Sequence, residues 1–125
     1  MLRLINKLKN RKGFTLIELI VVLAVLAIIM AIAVPRFMGV QDEAEDKADI
    51  STFQMMLKSA ELYFAQNPTD SSVTVSELQT EGLLGEAKFN NSITVTSFSI
   101  DSDGIISASA SGITYDEDDG TVELP

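Results

Sequence analysis

Gly13-Phe14-Thr15-Leu16-Ile17-Glu18 opens an apolar run that continues as LIVVLAVLAIIMAIAV from Leu19 to Val34. Phe14 to Val34 is 21 residues long, with Thr15 and Glu18 its only polar members. At about 1.5 Å per residue, a helix of that length crosses a hydrocarbon core of roughly 30 Å. Fourteen of the residues are Leu, Ile, Val or Phe, which together favour the bilayer by roughly 4 to 8 kcal/mol. An ionised carboxylate in hydrocarbon costs several kcal/mol unless it is paired, so Glu18 implies a functional partner. On the other side of the junction, Met1 to Gly13 carries Arg3, Lys7, Lys9, Arg11 and Lys12 and no acid. The positive-inside bias predicts that this leader stays cytoplasmic while everything after the apolar run faces outward.

A conventional signal peptide is the plainer alternative, with Ala31-Ile32-Ala33 as an A-x-A cleavage site ahead of Val34. Such a segment would have an unusually long apolar region and an acid inside it. A basic leader ending at Gly13, then Phe14, Glu18 four residues on, an unbroken apolar stem and Pro35 just past it explain more. In these residues the sequence resembles the type IV pilin family, including the pseudopilins of type II secretion and competence systems. The resemblance covers about the first third of the chain. It implies that a prepilin peptidase cuts between Gly13 and Phe14 and methylates the new amine of Phe14. It also implies that an assembly platform and its ATPase stack the subunits into a helical filament.

On that reading Glu18 and the cationic amine of Phe14 have complementary needs, because either charge buried alone is unfavourable. The family account pairs the amine with Glu18 of a neighbouring copy, which makes the pair a register device. Glu18 also stands at the start of its own helix, where an anion is favoured. Many relatives have glycine about eight residues before the stem proline, a stretch the resemblance associates with unwinding in the filament. Ala27 stands there instead, and alanine favours helix by about 1 kcal/mol. Pro35 removes one backbone donor and is read as a plain kink.

Beyond Pro35, apolar residues recur at three- and four-residue spacing through Ile50, Phe53, Met56, Leu57, Ala60, Tyr63 and Phe64, the stripe of a helix laid on a core. Asp42, Glu43, Glu45, Asp46 and Asp49 are read as a solvated acidic face. Asn67-Pro68 ends the helix. Val73 to Gly85 reads as a connection with one short helix, its capping box formed by Ser76 and Gln79 and its end marked by Gly82. Ile93–Ile100, Ile105–Tyr115 and Thr121–Leu124 read as strands, separated by turns at Asp101–Gly104 and Asp116–Gly120. The expected fold class is therefore α+β, a long N-terminal helical spine packed against a small C-terminal antiparallel sheet. Its segments are a cleaved leader (1–13), a transmembrane and filament-core helix (14–34), its amphipathic continuation (35–66), a connection (67–91) and the sheet (92–125).

The acidic turns raise the question of calcium. Asp101, Asp103, Asp116, Asp118 and Asp119 offer oxygens that a hard cation favours, and calcium near the C-terminus is associated with major secretion pseudopilins. Neither turn has EF-hand spacing, however, so ordinary turns are the first reading and calcium the second. The Trp-containing segment common in those pseudopilins is absent, for the chain has no Trp, which moves weight toward a pilus subunit. With no His and no Cys, the chain has no Ser-His-Asp or Cys-His nucleophile and no histidine or thiolate metal site. Neither an enzyme nor a cofactor is expected. All 18 acids follow the leader, which holds five of the nine bases. A leaderless chain therefore has four bases against eighteen acids, a balance of −14, and direct binding of nucleic acid is not expected.

Three readings follow. The first is a structural subunit of a type IV pilus, membrane-held before assembly and a homo-oligomeric surface filament after it, serving adhesion, aggregation or twitching motility. Next comes a pseudopilin of type II secretion or DNA uptake, and last a signal-anchored or secreted binding domain that does not polymerise.

Overall fold

The computed structural model describes residue 13 and residues 15–125. The expectations placed on the leader and on Phe14 lie outside the described residues. Helix α1, Leu16–Gln66, dominates the chain. It begins immediately after Thr15, whose carbonyl accepts from the Leu19 N–H at 3.2 Å. It ends where Asn67 donates both its backbone N–H and its side-chain Nδ2 to the Tyr63 carbonyl, at 2.9 and 3.1 Å. Pro68 then blocks another turn. Ala27 and Pro35 both lie inside α1, which is continuous across them.

Two compact units divide the chain, residues 1–40 and 41–125. In the first, every described residue is exposed. Leu16 and Ile17 are each 73 % accessible, so the apolar side chains have no cover from their own chain.

The second unit contains the core. Its stretch of α1 buries Phe53, Met56, Leu57, Ala60 and Phe64 on one face, each worth about 1.5–3 kcal/mol for the large side chains. Against that face lies a three-stranded antiparallel sheet in the order β1-β2-β3, formed by Ser72–Thr74, Thr94–Ile100 and Ile106–Ser111. Val73 pairs with Phe98, and Phe98 with Ala108, which puts these three side chains on the inner face. The Phe53 ring packs 6.2 Å from that of Phe98 and 5.5 Å from that of Tyr115. The outer rows are hydroxyls, with Ser72 opposite Ser99 and Ser99 opposite Ser107. Helix α2, Val75–Thr80, follows β1 directly and buries Leu78. A second, two-stranded sheet joins β4, Thr114–Tyr115, to β5, Val122–Glu123.

The α+β architecture is as expected, and three details differ. The connection supplies a strand: β1 is only three residues long, too short for periodicity to register. The capping box of α2 is formed by Thr74 and Glu77, because β1 ends at Thr74 and fixes the helix start two residues earlier than a Ser76 cap would. Finally, the strand expected over Ile105–Tyr115 is split at Gly112, where φ is +77° and an added Cβ would meet the Ser92 carbonyl oxygen at 2.6 Å. Only glycine accommodates both the left-handed turn and that close approach.

Candidate functional site

Glu18 lies in the first turn of α1, three residues after Thr15, and the two side chains satisfy each other's backbone. Glu18 Oε2 accepts the Thr15 N–H at 3.0 Å, and Thr15 Oγ1 accepts the Glu18 N–H at 3.3 Å. This is the reciprocal pattern of a capping box, which quiets two of the donors a helix start leaves unpaired. In hydrocarbon no water would serve those donors, so the pairing counts for more than on a wet surface. Around it, α1 contains an apolar stretch long enough to cross a membrane by length and composition, with none of that stretch buried within the chain.

A second carboxylate on α1 was not legible as special. Asp49 has no accessible surface, which corrects its assignment to the solvated acidic face. Its Oδ1 accepts from the Asn90 backbone N–H at 2.7 Å and from Asn90 Nδ2 at 3.1 Å. Oδ2 accepts from the Asn91 backbone N–H at 2.9 Å and from Asn91 Nδ2 at 2.8 Å. Asn91 Nδ2 also reaches Asp46 Oδ1 at 3.0 Å. Burial is the largest single influence on Asp49 and opposes ionisation. The four N–H donors together outweigh it and hold the carboxyl below the usual aspartate range. The effect is mechanical: the loop before β2 is tied to the helix. A signal was available, since Asp49 stands four residues before Phe53 and seven before Met56, in register with the apolar stripe.

The remaining sites expected from sequence are dispersed. Asp101 Oδ1 accepts from the N–H groups of Asp103 and Ile105, both at 2.9 Å, and closes the β2–β3 turn. Asp116 Oδ1 accepts from Asp118 N–H, and Asp119 Oδ1 from Thr121 N–H, each at 2.9 Å. The Thr121 hydroxyl and N–H hold the Asp119 carboxyl below its usual range. In the same way, the Thr74 N–H and then its hydroxyl lower Glu77. Among the described residues no group of three or more acids is placed to hold a metal ion. Two surface hollows of the second unit are each lined by a single acidic side chain, Glu61 in one and Asp46 in the other.

An apolar helix with no internal cover, one capped acid at its start and a small α+β unit after it fit a membrane-anchored or surface protein with a helical stem. Comparison with known proteins points the same way. A profile described as the prokaryotic N-terminal methylation motif matches residues 8–34. The chain is 45 % identical over 67 residues to prepilin peptidase-dependent protein A of Clostridium perfringens, covering 53 % of this chain and 48 % of that one. It is 34 % identical over 65 residues to the type IV wide pilus major component PilA4 of Thermus thermophilus, covering 52 % and 50 %. Against competence protein ComGC of Streptococcus pneumoniae it is 29 % identical over 75 residues, covering 60 % and 68 %. The match spans about half the length of the first two of these relatives. No solved structure matches the chain. These matches support a type IV pilin or pseudopilin family. The same matches support a pilin-like structural subunit.

Proposed function

We propose that the chain is a subunit of a type IV pilus that polymerises through its N-terminal apolar helix into a surface filament for adhesion, aggregation or twitching motility. The observation that carries this reading is the apolar stretch of α1, exposed along its whole length and interrupted by one acid. Such a surface needs either a bilayer or other copies of itself. Membrane first and filament second satisfies both states. The leader, residues 1–13, is removed by a prepilin peptidase between Gly13 and Phe14, and the new Phe14 amine is methylated. The basic leader keeps its side of the helix cytoplasmic, and residues 35–125 face outward. An assembly platform and its ATPase then draw subunits from the membrane. In the filament the Phe14 amine of one copy pairs with Glu18 of another, and a wrong axial stagger leaves two charges unpaired in an apolar core.

The ComGC match supports a second reading, a pseudopilin of a DNA-uptake filament. The balance of four bases against eighteen acids beyond the leader argues that DNA contact in such a filament falls to another subunit. The test combines intact mass and N-terminal sequencing of the exported protein with electron microscopy of filaments labelled for this chain. The pilus reading predicts a methylated Phe14 start and long labelled surface filaments. A start at Met1 or Val34 would overturn processing, and labelled material confined to the envelope would favour the pseudopilin.

A further inference from the structure

Aspartate followed by glycine occurs twice, at Asp103-Gly104 and Asp119-Gly120, and both pairs sit in exposed turns. The pair has a chemistry of its own. With no side chain on the second residue, the glycine nitrogen can reach the aspartate side-chain carbonyl carbon and close a five-membered ring. Both glycines adopt a left-handed conformation, with φ of +84° at Gly104 and +74° at Gly120. The two turns differ in what restrains the reacting groups. Asp119 Oδ1 accepts the Thr121 N–H at 2.9 Å, and Gly120 donates its own N–H to the Asp116 carbonyl at 2.9 Å. In the other turn the anchoring carboxylate is Asp101, whose Oδ1 takes the N–H groups of Asp103 and Ile105. The Asp103 carboxylate has no such role, and among the described residues no donor is bonded to it. The Gly104 N–H meets the Asp101 carbonyl at 3.2 Å, at the long end of the hydrogen-bond range.

We propose that Asp103-Gly104 is a site of spontaneous backbone modification, forming a cyclic imide and then isoaspartate, while the turn at Asp119-Gly120 protects its own pair. The Gly104 nitrogen gives up its proton and attacks Cγ of the Asp103 carboxyl group. The new C–N bond forms as the C–OH bond breaks, and water leaves. Water then opens the ring at either of its two carbonyls. Opening at Cγ restores aspartate, and opening at the main-chain carbonyl routes the backbone through the former side chain, with no net change in atoms. The isoaspartyl form has one extra main-chain carbon between residues 103 and 104. That displaces the Ile105 N–H from Asp101 Oδ1 and loosens the turn joining β2 to β3. At Asp119-Gly120 the same attack must first break the bonds to Thr121 and to the Asp116 carbonyl. Thr121 also holds the Asp119 carboxyl below its usual range, which depletes the neutral acid from which water leaves. The reaction needs only water, and it does not depend on whether the chain forms a filament.

Ageing the purified full-length chain in detergent, in warm and mildly acidic buffer made with heavy-oxygen water, tests this. Peptide mapping with fragmentation that separates isoaspartate from aspartate reads each site, and retained heavy oxygen counts ring openings. In the folded chain isoaspartate should accumulate at Asp103 about 5- to 10-fold faster than at Asp119, roughly the factor that one hydrogen bond is worth. In urea the two rates should converge, because the turns that distinguish the pairs are gone. Asp103→Glu keeps the charge but would require a six-membered ring, so it should abolish the product at that turn and leave the rate at Asp119 unchanged. Equal rates in the folded chain, or a faster rate at Asp119, overturn the proposal. A difference that persists in urea overturns it too, since the protection would then not come from the turn.

Discussion

Glu18 and Asp49 are carboxylates on the same helix, and they solve the problem of a charge beside apolar surface in opposite ways. Asp49 is closed off: four N–H donors from Asn90 and Asn91 saturate both oxygens, and no surface remains. Among the described residues Glu18 has one oxygen engaged, by its own helix start, and the residue is exposed. A saturated carboxylate holds a fold together. An unsaturated one on an uncovered apolar helix has bonding capacity left for something outside the chain. That difference separates the acid that ties the fold together from the one we propose pairs between copies.

Replacing each acid should break the comparison in a different place. Glu18→Ala or Glu18→Val is expected to reduce filament yield at least about tenfold while leaving leader cleavage mostly intact, because the buried Phe14 amine loses its counter-charge. Immunoblotting for processed chain alongside quantified sheared filaments reads both effects. Normal yield from both variants would sink the pairing idea. Asp49→Ala should act on folding instead. It strands the donors of Asn90 and Asn91 and should destabilise the second unit by about 2–4 kcal/mol, measured by urea unfolding of the full chain in detergent.

The acid dependence sharpens the point. Because the folded Asp49 carboxyl lies below its usual value, its stabilisation is complete above the unfolded aspartate pKa of about 3.9 and is lost as pH falls through the lower folded value. Unfolding free energy should therefore drop between about pH 5 and pH 2, and drop less in Asp49→Ala. Equal slopes in the two chains would mean that Asp49 contributes nothing to the acid limb.

Smaller effects come from backbone and turns. Gly112→Ala forces an L-residue into a left-handed conformation and against the Ser92 carbonyl, for an expected loss of about 2–3 kcal/mol in the same unfolding measurement. Asp101→Ala removes an oxygen that accepts two turn N–H groups and should cost only about 1 kcal/mol. Repeating that measurement with and without millimolar calcium distinguishes a turn from a cation site. A turn gives the same loss in both, whereas a cation site makes the loss calcium-dependent.

How far the sequence could be read follows the same division between local and distant causes. The end of α1 at Gln66 was legible because Asn67-Pro68 acts on its immediate neighbours. The amphipathic stripe from Phe53 to Phe64 was legible because its period is local too. The capping box of α2 was misplaced since Ser76-x-x-Gln79 and Thr74-x-x-Glu77 both satisfy the pattern, and the choice depends on where β1 stops pairing with β2. The burial of Asp49 was not read because its donors lie 41 and 42 residues away. The break at Gly112 likewise depends on the Ser92 carbonyl, twenty residues earlier in the chain. At the candidate site, the type and position of Glu18 were visible from the residue order alone. Its bond to Thr15 needed coordinates, since the same six residues would also permit a side chain turned away from its own helix.

Whether Glu18 meets the Phe14 amine of a second copy is measured most directly by solid-state NMR of mixed-label filaments. Filaments assembled from one pool of chains with labelled phenylalanine nitrogen and another with labelled glutamate carboxyl carbon report only contacts between copies. The account predicts a Phe14 amine within about 4 Å of Glu18 on a different chain. Absence of that contact in well-formed filaments, or its appearance only when both labels share one chain, would contradict it.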